Sequence, residues 1–275
     1  MSSTESTPRC EACDGDHWQL VASFSAPPPG ENAFGASAYC RRLWRCGNCG
    51  HFVNRHDHDL SRLYSSAYAE ASYDGDRRAE RFRSILALPP ERSDNHGRAA
   101  AIMAFASDMG LSASPRLLDV GSGMAVFPAV MRKAGWRVTA VDPDPANARQ
   151  ARELADAEAI TGEFSTLQFE AEFDVVTLNK VLEHVVERRA MLIKAAGLLS
   201  SPAGFLYVEV PDGEAALDEG PGRQEFFLEH YCAYSPASLA LVAARAGLRL
   251  RRLDRLREPS GKFTLRAFLT RRPTS

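Results

Sequence analysis

The stretch Arg116 to Pro145, RLLDVGSGMAVFPAVMRKAGWRVTAVDPDP, constrains this chain more than any other. An apolar run, Leu117 to Val120, carries an acid at Asp119 and stops at the turn Gly121-Ser122-Gly123. A helix-period segment follows, with Val126, Val130 and Ala134 on one face, and Gly135 ends it. A second apolar strand, Trp136 to Val141, ends on Asp142. Strand, glycine turn, helix, strand and acid are half of a doubly wound nucleotide-binding fold. The acid at the second strand tip faces ribose hydroxyls, and the glycines admit a ligand that a Cβ would push away.

The dinucleotide fingerprint G-x-G-x-x-G fails, because its last position is Val126. The phosphate-loop pattern G-x-x-x-x-G-K-[ST] is absent. The pattern that fits is acid-x-G-x-G-x-small, with an acid closing the next strand. It resembles motifs I and II of the class I S-adenosylmethionine (AdoMet)-dependent methyltransferases, with Ala125 where that family usually has glycine. The resemblance implies an α/β, Rossmann-like seven-stranded methyltransferase sheet with its last strand antiparallel. It implies AdoMet held by Asp119, Gly121, Gly123, Asp142 and Pro143. Glu163 or Phe164, after the third strand, would contact the adenine.

Composition narrows the partners. With 275 residues and 45% hydrophobic content, a substantial core and one or two domains are expected. The formal charge of −2 gives no global basic field for nucleic acid. The polar N-terminus has no apolar signal region, and no run of about 18 apolar residues offers a membrane span. A cytoplasmic, bacterial enzyme is the expectation. Six cysteines without an export signal favour thiols and metal over disulfides.

Cys10-Glu11-Ala12-Cys13 and Cys46-Gly47-Asn48-Cys49 form two C-x-x-C pairs. Each pair lets one tight turn present two sulfurs to an ion, and the second completes a tetrahedron. A zinc ribbon over residues 1–58 is therefore expected, its metal structural because four thiolates leave no open position. Cys40 is a spare thiol expected to pack against the ribbon, and His51, His56 and His58 read as solvated loop residues. Residues 59–110 read as a helical substrate-side cover. It contains Tyr64, Tyr68 and Tyr73, an amphipathic helix Arg77 to Leu88, and a helix capped by Asp94. Tyrosines there suit a pocket or a core equally. Asn95 and Arg98 read as a solvated helix face more readily than as carboxylate ligands.

Residues 111–275 form the AdoMet-binding part. The strand Phe173 to Leu178 runs into Asn179-Lys180-Val181-Leu182-Glu183-His184-Val185. This is similar to the V-L-E-H of motif IV in small-molecule methyltransferases, and places Asn179 at the cofactor. The base-methylating signatures N-P-P-[YF] and P-C are absent from this region. A further strand, Phe205 to Val210, precedes the aromatic segment Gln224 to Pro236, with Glu229-His230-Tyr231 inside it. The zinc-plus-helix leader and this Glu-His pair resemble bacterial sugar C-methyltransferases. A hydroxyl or carbon acid must lose a proton during methylation, and histidine titrates near neutrality. His230 and His184, with Glu229 and Tyr231, are accordingly the catalytic candidates. The acceptor expected is a small polar molecule, a carbohydrate or nucleotide-linked sugar. The alternative is a zinc-ribbon rRNA methyltransferase using Arg41, Arg42, Arg45, Arg55, Arg77, Arg78, Arg81 and Arg83. A catalytically silent binding module is a third reading, opposed by the intact Asp119, Gly121, Gly123 and Asp142.

Overall fold

The apolar runs do become the centre of a sheet. In the computed structural model, which describes residues 9–32, 39–58 and 75–272, seven strands form one sheet. In chain order they are β4 (Arg116–Val120), β5 (Arg137–Asp142), β6 (Glu158–Thr161), β7 (Val175–Asn179), β8 (Phe205–Pro211), β10 (Leu248–Arg257) and β11 (Phe263–Arg271). Across the sheet the order is β10-β11-β8-β7-β4-β5-β6. The five strands β4 to β8 run parallel, and β11 is antiparallel to both β8 and β10. Parallel strands covered on both faces are largely apolar, and β8 is buried along its whole length, with Glu209 its one charged residue.

Helices cover both faces. One face packs α1 (Gly75–Leu86), α2 (Asp94–Asp108), α3 (Val126–Lys133) and α4 (Pro145–Ala155) through Phe82, Ile102, Phe105, Val130, Met131 and Ala151. The other packs α5 (Arg188–Gly197) and α7 (Pro236–Arg245) through Leu192, Leu239 and Val242. Each of the larger buried side chains, Ala151 aside, is worth about 1.5–3 kcal/mol. A short helix, α6 (Gly213–Asp218), follows β8. Helix α2 begins one residue earlier than expected: Ser93 is the cap, its hydroxyl accepting from the His96 N–H at 3.3 Å. Among the described residues no helix is long and apolar enough to cross a membrane.

A second, antiparallel sheet has the order β1-β2-β3-β9, from β1 (Trp18–Phe24), β2 (Arg41–Cys46), β3 (Phe52–Arg55) and β9 (Cys232–Ala233). Its last strand comes from the far end of the chain. Cys10, Cys46 and Cys49, beside this module, share a continuous core with the large sheet. Tyr64, Tyr68 and Tyr73 lie outside the described residues.

Candidate active site

Strand order reverses between β4 and β7, and the crevice beyond their carboxyl ends is where such sheets bind ligands. Gly121 and Gly123 turn there with φ of +72° and +51°. A Cβ on Gly121 would sit 2.7 Å from Val181 Cγ2, while one on Gly123 would project into open space. Ala125 also takes a left-handed φ of +56°, which explains why glycine suits that position.

The two acids anchor this turn. Asp142 Oδ2 accepts from the Gly123 N–H at 2.8 Å, and its Oδ1 accepts from Asp144 N and Asn147 Nδ2. Burial raises its carboxyl above the usual range. Asp119 lies beneath the turn, with Oδ1 accepting from Thr177 Oγ1 and Asn179 Nδ2, each at 2.7 Å. Burial pushes its carboxyl up to about 7. Asn179 Oδ1 and Ser122 Oγ are buried with no hydrogen-bond partner. A ligand with an ammonium group and ribose hydroxyls supplies the missing donors and acceptor, so these residues fit AdoMet. Pro143 follows Asp142, half-buried, at the lip of the crevice. Glu163 is exposed, and Phe164 corrects an expectation. At 3% exposure it turns inward against Phe169, under the Lys194 ammonium, so it supports the wall rather than facing a base.

Beside the crevice lies a cavity of about 290 Å³ lined by Lys180, Glu183, His184, Glu229, His230 and Lys262, among others. Lys180 extends the β7 strand end in a left-handed conformation, φ +58°, and its Nζ donates to Thr264 Oγ1 at 2.7 Å. His184 lies on a 3-10 turn with Nδ1 2.9 Å from the Glu229 carbonyl. His230 Nδ1 is 3.0 Å from the Glu225 carbonyl. Carbonyls only accept, so both rings carry hydrogen on Nδ1, and Nε2 is the nitrogen that holds the lone pair in the neutral tautomer. The rings meet edge to face, 4.8 Å apart. Burial, then the neighbouring His184, lowers His230 to about 3, so its ring is neutral. Tyr231 does not line the cavity; its N–H donates to the Glu183 carbonyl at 2.8 Å and its carbonyl accepts from Asn54 N. Lys180 and Glu183 were missed as site residues, although both lie in the quoted motif and at a strand end.

The aromatic loop carrying Glu229 and His230 is held from the other sheet. Asn54 Nδ2 donates to the carbonyls of Phe226, Phe227 and His230. Arg41, fully buried, donates to Phe226 O at 2.6 Å and to Asn54 Oδ1 at 2.9 Å, and pairs with Glu31. Arg45 pairs with Glu214, Arg78 bonds Asn147 and Gln150, and Arg55 lies over the Trp18 and Trp44 rings. Four of the eight arginines expected to form an RNA footprint, Arg41, Arg45, Arg55 and Arg78, thus have partners within the molecule, and Arg42, Arg77, Arg81 and Arg83 are exposed. Arg98 is also redirected: it is a buried partner of Glu209, with Nε 2.8 Å from Oε2, neither solvated nor in the crevice. Burial alone would raise Glu209, but the Arg98 guanidinium overrides it and holds the carboxyl below its ordinary range.

The four cysteines converge. Their sulfurs lie within 4.8 Å of one another, with Cys10–Cys49 and Cys13–Cys46 each 3.6 Å apart. Zinc–sulfur bonds of about 2.3 Å imply edges of about 3.8 Å, so Cys10, Cys13, Cys46 and Cys49 could hold a tetrahedral ion. All six cysteines are free thiols, and Cys40 is exposed rather than packed. His51 is fully buried, against the expectation of solvation. Burial disfavours its charge, yet the Cys232 thiol and the Glu11 carboxylate, 2.9 Å from Nε2, raise it to about 9.

A family described as "Methyltransferase domain" matches residues 74–253. The chain belongs to that family. A ubiquinone biosynthesis O-methyltransferase from Methylocella silvestris is 33% identical over 98 residues, 34% of this chain and 38% of that protein. A cypemycin N-terminal methyltransferase from Streptomyces is 31% identical over 102 residues, 35% of this chain and 42% of that one. The match thus spans well under half the length of either relative. Among solved structures, the Burkholderia thailandensis 1,6-didemethyltoxoflavin-N1-methyltransferase superposes with a TM-score of 0.56 at 21% identity, covering 90% of this chain and all of that one. Magnesium protoporphyrin IX methyltransferase from Synechocystis gives 0.56 at 16% identity, covering 74% of this chain and 99% of that one. The class I methyltransferase fold is the shared feature.

Proposed function

We propose that this chain transfers a methyl group from AdoMet to a small polar acceptor. The observation that carries the reading is the adjacency of two features: a glycine-turn crevice with unfilled polar atoms, and a cavity presenting two imidazole Nε2 lone pairs. Asp142 would take the ribose hydroxyls, the Gly121–Gly123 backbone and Pro143 would admit the cofactor closely, and Glu163 would meet the base. Asn179 Oδ1 would accept from the ammonium, and Asp119 would hold Asn179 in place. AdoMet supplies an electrophilic methyl group. The chain's contribution is alignment of acceptor and sulfonium, which provides most of the acceleration in such displacements. His230 or His184, through Nε2, would receive the acceptor's proton, with Glu229 beside them.

The charged lining, with Lys180 and Lys262 facing Glu183 and Glu229, supports a carbohydrate or nucleotide-linked sugar over an apolar acceptor. Residues 1–58 would act as a zinc module, 59–110 as a cover and 111–275 as the cofactor-binding part. A structural zinc on Cys10, Cys13, Cys46 and Cys49 is part of this reading. The test is a panel of sugar nucleotides and a ribosomal RNA fragment with isotopically labelled AdoMet. Turnover on a sugar nucleotide, reduced by about 10² or more in His230→Ala, is expected. Calorimetry showing no AdoMet binding defeats the reading, and RNA labelling alone defeats the small acceptor.

A further inference from the structure

The cavity beside the crevice holds more unused donor atoms than proton transfer needs. We infer that Glu183, His184 and His230 bind a divalent cation there, separate from the cysteine site, and that the cation takes an acceptor through oxygens on neighbouring carbons. One ligand atom from each of the three lies within 4.8 Å of the other two. Two imidazoles and a carboxylate are a set that binds divalent transition metals and leaves coordination positions open.

The outer contacts fit this role. Metal-bound histidine usually donates its other ring N–H to a carbonyl or carboxylate, which fixes the ring and its tautomer. Both rings do this, through Nδ1 to the carbonyls of Glu229 and Glu225. Glu183 is the independent observation. Its side chain is fully buried, it lines the cavity, and neither carboxylate oxygen has a hydrogen-bond partner in another residue. A carboxyl group so buried lacks the donor or counter-charge that its ionised form needs, and a cation supplies one. Glu229 Oε2, also buried and unpartnered, lines the same cavity and adds negative charge. Two lysines, Lys180 and Lys262, share the lining, but neither is hydrogen-bonded to Glu183: the Lys180 Nζ donates to Thr264 Oγ1 at 2.7 Å and lies 3.9 Å from Glu209.

The chain contributes three ligands, so the remaining positions belong to water or acceptor. Oxygens on adjacent carbons, as in a vicinal diol, an α-hydroxy ketone or a catechol, displace two waters together. This deepens the proposed function, since it rests on that cavity being the acceptor site, and it reassigns the base there: with both Nε2 atoms on the cation, the acceptor's proton goes to Glu229, which lines the same cavity. Metal binding can nevertheless be read without AdoMet or turnover.

The experiment is a Co²⁺ titration of the full chain after its thiol site has been loaded with zinc. One additional equivalent is expected, with weak d–d absorption and no sulfur-to-cobalt charge-transfer band. Glu183→Gln and His184→Gln should each weaken that equivalent at least about tenfold, as loss of even an outer-contact residue can. The zinc content and AdoMet affinity of both variants should stay unchanged. Catechol, but not phenol, should shift the d–d spectrum. No second equivalent, or one that survives both variants, overturns the site; so does a charge-transfer band, which would place the cobalt on the cysteines. Should a variant misfold by circular dichroism, His230→Gln and the wild-type stoichiometry decide instead. If cobalt binds and AdoMet does not, the metal inference stands and the methyltransferase reading falls.

Discussion

Asp119 links protonation to cofactor binding. Its folded pKa of about 7 lies above the ordinary 3.8, with burial the largest cause. The stabilisation tied to its protonated form is fully present below about 3.8 and is lost as pH rises through about 7. AdoMet carries net positive charge and favours the carboxylate, so its binding should expel a proton. Affinity should rise between about pH 6 and about pH 8, and calorimetry in buffers of different ionisation enthalpy should show proton release that fades above about 7. Asp119→Asn should flatten both; a flat wild-type profile rules the linkage out. Gly121→Ala should cost about 1–2 kcal/mol in thermal or denaturant unfolding, from its φ of +72° and the Val181 methyl 2.7 Å from the new Cβ. It should also weaken AdoMet binding. At this scale the sequence was informative where backbone rules act: the glycines, both acids and the unusual Ala125 could all be placed. Phe164 and Arg98 went astray because side-chain direction depends on neighbours that spacing does not reveal.

The aromatic loop from Gln224 to Tyr231 has little regular structure, and its shape comes from what grips it. Arg41 reaches Phe226 across 185 positions of sequence, and Asn54 reaches His230 across 176. Arg41→Met or Asn54→Ala should lower kcat on the true acceptor at least about tenfold while leaving AdoMet affinity intact, because a misplaced catalytic group loses rate steeply. Equal losses in both would mean simple unfolding. Helix α7 offers a stability test. Ser235 caps it in a reciprocal box with Ser238, and its hydroxyl also donates to the Cys49 carbonyl. Ser235→Ala should cost at least about 1 kcal/mol by denaturant titration. The strands and helices of the large sheet were legible to within a few residues, since apolar runs, caps and glycines are local signals. The grip on the loop was not: a buried arginine and a surface arginine look alike until the partner is known.

The two sheets are tied through charge as well as packing. Glu11 lies between His51 and Arg188, beside the cysteine cluster, and Arg245 pairs with Asp14. If zinc sits on the cysteines, a strong chelator with reductant should lower the melting temperature and abolish acceptor turnover before AdoMet binding is lost. Simultaneous loss of both would show that the module supports the whole molecule. The C-x-x-C pairs were legible because ligand spacing is short-range. The sharing of a sheet was not, since nothing in Cys232-Ala233 distinguishes a two-residue strand from a loop. That small strand has a consequence for the order in which the protein is made. The thiol pairs leave the ribosome early, but the free margin of β3 must wait for β9, which emerges after most of the chain. A nascent chain stopped short of β9 would thus have all four clustered thiols in place while β3 lacks its outer neighbour.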